Sequence, residues 1–170
     1  MFKSENAEYR KSVLEMDNLQ FLNQLDDRGG YDEMQDIITY LTSKLLMTPY
    51  KLDSMLWFAY GWGLVVLNSE IAPFQWKQTE YGPSSLDVPK LYPIEKFGMV
   101  PQAPEPEIDF EVKALLDAII TRYGKLSAED LGERISYHLK GMVEPGSPIE
   151  ARDAYLFFTS AIFEDKLVDF

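Results

Sequence analysis

The apolar positions along the chain mark out helices first. Leu14, Asn18, Phe21 and Leu25 recur at i, i+4, i+7 and i+11, one mostly apolar stripe of a helix within residues 1–30. Asp26-Asp27-Arg28-Gly29-Gly30 is expected to end it, since glycine supplies the backbone freedom of a helix stop. A second helix is predicted from Asp32 to about Leu46. Ile37, Leu41 and Leu45 repeat every four residues there, and Asp32, Glu33 and Asp36 sit at the positive end of its dipole.

Thr48-Pro49 opens a third helix, with a capping hydroxyl followed by proline at the first helical position. Its apolar residues, from Leu52 through Trp57 and Trp62 to Leu67, cover nearly every side. A helix of that kind must be surrounded by other elements, so it is predicted to be the centre of the domain. Asn68-Ser69-Glu70 ends it.

From Ile71 to Pro106 the pattern breaks, and prolines 73, 83, 89, 93, 101, 104 and 106 exclude a long helix. Phe74 to Tyr81 alternates loosely and meets Gly82-Pro83, as a short strand entering a turn would. Position 82 precedes a proline and is held toward extended backbone, where glycine tolerates what other residues do not. Pro101 to Pro106 reads as a stiff connector.

Three further helices are predicted. Val112, Leu115, Ile119 and Tyr123 share a face that stops at Gly124. Ser127-Ala128-Glu129-Asp130 is a capping-box variant ahead of Leu131, Ile135 and Leu139. Ser147-Pro148-Ile149-Glu150 is a full capping box ahead of Tyr155, Phe158 and Ile162. The expected fold is mainly α, about six helices in one compact domain, with a short extended or hairpin segment around residues 72–83. Residues 1–30 are expected as a separable helical extension and 31–165 as the domain proper.

Composition narrows the function classes. Without cysteine there is no disulfide framework, zinc ribbon or thiol nucleophile, and a single histidine, His138, excludes a histidine-rich metal site. No leader pattern and no long apolar run are visible, so a soluble cytoplasmic protein is expected. A net charge of −12 repels phosphate backbones and disfavours direct nucleic-acid binding. It suits a basic protein partner, or imitation of nucleic acid by an acidic decoy.

Catalysis finds little support in the residues. A serine triad would need His138 as base with Ser84 or Ser85 as nucleophile, yet no nucleophile elbow is present. Nothing singles out a carboxylate pair, no phosphate loop or dinucleotide fingerprint is visible, and helix-start electrostatics accounts for Asp32, Glu33 and Asp36 without a metal. No enzyme activity, cofactor, metal or small-molecule ligand is expected.

Binding is better marked. Three tryptophans and ten tyrosines supply the residue types most enriched at interface hot spots. The segment carrying Trp76, Tyr81, Gly82 and Pro83 is expected to join exposed aromatic side chains to stiff backbone, and Leu14 and Phe21 lie on the N-terminal stripe. Those six residues are the candidate partner-binding positions.

Lys51-Leu52-x-x-Met55-Leu56-Trp57-Phe58-Ala59-Tyr60-Gly61-Trp62, then Tyr81-Gly82-Pro83, then Leu115-Leu116-Asp117 through Tyr123-Gly124-Lys125-Leu126-Ser127-Ala128-Glu129-Asp130-Leu131 stand in the order of the Panacea domain, and residues 31 to 140 resemble it. The resemblance implies a mainly helical domain of bacteria and phages. Such domains commonly serve as the antitoxin of a two-gene pair and neutralise unrelated toxins by direct contact. The chain departs from the family's run at Ser54, Thr79, Ser84-Ser85 and Met142-Val143-Glu144-Pro145. The expected function is an antitoxin-like or adaptor protein that binds and neutralises a cognate protein partner, with an acidic nucleic-acid-mimicking decoy as the alternative.

Overall fold

A computed structural model describes residues 2–26, 33–80, 82–93, 98–139, 142–160 and 167, with backbone alone for 2–6 and 136–139. The chain is mainly helical. In order come α1 (Phe2–Leu14), α2 (Asn18–Gln24), α3 (Met34–Lys44), α4 (Pro49–Val66), β1 (Trp76–Thr79), β2 (Gly82–Ser85), α5 (Val88–Leu91), α6 (Phe110–Tyr123), α7 (Ala128–Leu139), β3 (Pro148–Ile149) and α8 (Ala151–Phe158).

α4 starts as its sequence dictates, with Thr48 Oγ1 accepting the Lys51 N–H at 3.1 Å and Pro49 in the first turn. From Leu52 to Leu64 every residue except Asp53 is buried, because α3, α6, α7, α8 and the hairpin surround the helix. Its aromatic side interlocks with α8: Phe158 packs edge-on against Phe58 and Trp62 and tilted against Trp57. Toward α6, Tyr123 stacks on Phe58 and its hydroxyl accepts from Trp62 Nε1 at 2.9 Å. Lys51 Nζ donates to the Gly124 carbonyl at 2.6 Å and so satisfies the C-terminal end of α6. Removal from water pulls the Lys51 ammonium below its ordinary range.

The strands form a small antiparallel sheet in the order β2-β1-β3, with Trp76 opposite Ser85 on one side and Ile149 on the other. The hairpin expected around 72–83 is therefore present, but it extends to Ser85. Gly82 enters β2 at φ 117, a conformation that favours glycine, immediately before Pro83.

Two expectations are corrected. Ser147 does not open the last helix: Pro148-Ile149 pairs with β1, and the capping box is moved to Glu150 with Asp153 three residues on. The strand pairing takes up the backbone that a helix start at Ser147 would have used; Gln78 N–H donates to the Ser147 carbonyl at 2.9 Å. At the N-terminus, the single stripe of Leu14, Asn18, Phe21 and Leu25 is divided. Asp17 and Gln20 form a reciprocal capping box, at 2.8 and 2.9 Å, that starts a new helix.

The described part of residues 1–30 is docked on the domain, which corrects the expectation of a separable extension. Val13 and Phe21 belong to the common core, and Tyr9 and Phe21 pack on Tyr155 of α8. Arg10 donates to the Leu156 carbonyl at 3.2 Å and Arg152 to the Leu14 carbonyl at 3.0 Å, so each helix end carries a cation from the other helix. The Gly29-Gly30 stop lies outside the described residues.

Candidate functional site

The first turns of α4 face the hairpin and α7 across an open cleft of about 410 Å³. Tyr50 and Asp53 form one wall, Thr79, Glu80 and Ser84 another, and Gly132 a third. A second cleft of about 290 Å³ shares Tyr50, Asp53 and Ser84 and continues along α5 past Val88, Pro89 and Tyr92. The two therefore meet at one edge. Among the described residues, neither is lined by lysine or arginine.

Asp53 is at that edge because α4 needs a non-apolar position where the hairpin docks. Its Oδ1 accepts the Ser85 N–H at 3.0 Å. Burial pushes its carboxyl up to about 6, against the opposing pull of the Ser85 N–H and the Ser84 and Ser85 hydroxyls, and the nearby Asp87 raises it further. Ser85 carries the connection onward: its Oγ accepts from the N–H groups of Val88 at 2.9 Å and Asp87 at 3.2 Å. One carboxylate thus orders the strand end and, through it, the start of α5.

Gly132 admits the Tyr50 hydroxyl close to α7 at the first cleft. A Cβ at this position would lie 3.1 Å from the Tyr50 hydroxyl, so any larger residue pushes against Tyr50. Tyr50 itself is 47% exposed; Leu86 at 40% and Leu91 at 44% lie on either side in sequence of Val88 and Pro89, which line the second cleft. Large apolar side chains in water at the rim of a cleft are the surface that a partner would cover.

The sequence-based candidates fare unevenly. Gly82 and Pro83 line the first cleft. Tyr81 lies outside the described residues. Trp76 is 3% exposed and packs on Trp57, Tyr60 and Phe74, so the reading of an exposed aromatic at that position is corrected. β1 alternates, and Trp76 falls on its inward side. Phe21 is wholly buried against Tyr155, whereas Leu14 is 51% exposed at the other side of the α1–α2 break. They present no common stripe to a partner.

Ser85, weighed as a nucleophile, is buried and used as a helix cap. The His138 side chain lies outside the described residues, so its relation to Ser84 is not described. No group of three or more potential metal ligands is found among the described residues, and none of the described helices is long and apolar enough to cross a membrane.

Tyr50, Asp53 and Gly132 were missed by the sequence reading. The available signal was Asp53 itself, a lone acid inside an otherwise apolar helix, because a carboxylate there requires a partner or a site. Compared with family models, curated proteins and solved structures, the chain has no match.

Proposed function

We propose that the chain is an antitoxin-like or adaptor protein, which binds a protein partner across the two joined clefts and neutralises it by occupying its surface. The observation that carries this reading is the shared edge at Tyr50, Asp53 and Ser84, where a cleft with Asp53 and Glu80 in its lining continues into one lined by Val88, Pro89 and Tyr92. A partner segment laid across that edge would contact Tyr50 in both clefts and continue along α5 past Val88, Pro89 and Tyr92.

The resemblance to the Panacea domain supports the same reading. Gly82 and Pro83 of the second run line the first cleft, Asp53 falls at an unspecified position within the first run, and the third run ends at Leu131, one residue before Gly132. Membership of that family is part of the proposal, and so is a cytoplasmic location. The segments that carry the resemblance thus flank one cleft, which is consistent with a binding role there.

The test is co-expression with the product of the neighbouring reading frame. That product is expected to arrest growth alone and to be harmless beside this chain, with the two co-purifying. A neighbouring product that is harmless alone, or that stays toxic and unbound in the presence of this chain, contradicts the proposal. Association that weakens steeply with salt and is insensitive to changes at Tyr50 would instead favour the acidic decoy, which the net charge of −12 keeps in view.

A further inference from the structure

We propose that the cleft between Asp53 and Gly132 is an anchoring pocket for an arginine side chain of the partner, with the adjoining apolar cleft holding that arginine's hydrophobic neighbour. This rests on the reading of the chain as a protein-binding protein and names what it would recognise.

Charge and shape both point to a basic side chain. Asp53 and Glu80 line the cleft without a basic residue among its described lining residues, and Asp87 adds negative potential beside Asp53. Lys51, the nearest cation in sequence, is turned away and spent on the Gly124 carbonyl. A partly buried carboxylate attracts a cation more strongly than one in open water, because the surroundings screen it less.

Arginine is favoured over lysine by the other walls. The half-exposed Tyr50 ring offers a face on which a planar guanidinium can stack, while Ser84 and Thr79 offer oxygen acceptors around its edge. Gly132 lets the Tyr50 hydroxyl sit close against α7, where a Cβ would lie 3.1 Å from it, and so holds the ring at the cleft wall. The occupant is a protein segment and not a free cation, because the same edge leads directly into the mainly apolar cleft lined by Val88, Pro89, Tyr92 and Pro93.

The experiment is an amide chemical-shift titration of the full chain with acetyl-Leu-Arg-Leu-amide, repeated with the isosteric citrulline peptide, which lacks the charge. The arginine peptide is expected to shift Tyr50, Asp53, Ser84 and Gly132, and to bind about tenfold or more tightly than the citrulline peptide. Asp53→Asn keeps an oxygen to accept the Ser85 N–H, so the hairpin remains fixed. It is expected to bring the arginine peptide to the citrulline value. Glu80→Gln, on an exposed residue, should weaken the arginine peptide alone and by less.

Equal binding of the two peptides, shifts centred elsewhere, or no shift at millimolar peptide overturns the pocket. If the chain still neutralises the neighbouring product in that case, the partner-binding reading stands without it. If the peptide binds as expected but the neighbouring product is neither bound nor neutralised, the pocket stands and the antitoxin reading falls.

Discussion

The Asp53 carboxylate accepts the backbone N–H of Ser85 at 3.0 Å, and so the central helix of the core also fixes the end of the hairpin. Because burial raises this carboxyl to about 6, its proton is held more tightly in the folded chain than in the unfolded one. The sign follows from proton linkage. Between about pH 4 and pH 6 the folded state binds more protons, so the contribution to stability is full below the unfolded value and is lost as pH rises through the folded one. The loss is at most on the order of 3 kcal/mol, reduced where the cleft admits water. Urea unfolding of wild type and Asp53→Asn across this range should give curves that diverge, with the variant the flatter; parallel curves would mean that Asp53 titrates normally.

Recognition of a cation depends on the same group with the opposite sign, because only the ionised carboxylate attracts arginine. Affinity for the arginine peptide should rise as pH is raised toward about 6 and level off above it, while the citrulline peptide stays flat. A calorimetric pH series measures this directly, and a flat arginine series would contradict it.

Gly61 is required by Phe158. A Cβ on Gly61 would lie 1.9 Å from Phe158 Cε2, and that ring is hemmed in by Trp57, Phe58 and Trp62. Gly61→Ala should therefore destabilise by about 2 kcal/mol or more, despite alanine's better helix propensity. Combining it with Phe158→Leu, which vacates the ring edge, should cost less than the sum of the two single changes. Simple additivity in thermal unfolding would show that the ring can move aside.

Trp62 and Tyr123 are joined by a buried hydrogen bond at 2.9 Å that ties α4 to α6. A double-mutant cycle with Trp62→Phe and Tyr123→Phe is expected to give a coupling of about 1 kcal/mol. A coupling near zero in chemical denaturation would mean that the bond contributes nothing beyond packing.

Phe21 and Leu14 test the docking of the N-terminal helices. Phe21→Ala removes a wholly buried ring from the surface of Tyr155 and should cost about 3–5 kcal/mol. Leu14→Ala, on a half-exposed side chain, should stay within about 0.5 kcal/mol. Similar small effects at both positions would restore the picture of a loosely attached extension.

Much of the fold was legible because its signals are local. Thr48-Pro49, Ser127 ahead of Asp130, and the all-round apolar surface of Leu52–Leu64 specify their helices without knowledge of the rest of the chain. The Asp17–Gln20 capping box was equally local and was overlooked in favour of a longer apolar period, which placed Leu14 and Phe21 on one face. The start of α8 was not local: Ser147-Pro148 has the chemistry of a helix start, and only pairing with Lys77 makes it a strand. The site was legible in part. Gly82-Pro83 marked one wall, but Trp76 was assigned outward because strand phase depends on which side faces α4. Tyr50, Asp53 and Gly132 come together across α4 and α7, and no spacing within either helix announces that meeting.

The most direct test of partner binding at the joined clefts is the dissociation constant of the purified chain for the neighbouring reading frame's product, measured by calorimetry with wild type and Tyr50→Ala. Tyr50 is half exposed, so its truncation should leave the unfolding temperature almost unchanged. The expected result is a loss of affinity of about tenfold or more. Wild-type affinity in a folded Tyr50→Ala protein would place the partner elsewhere and contradict the assignment.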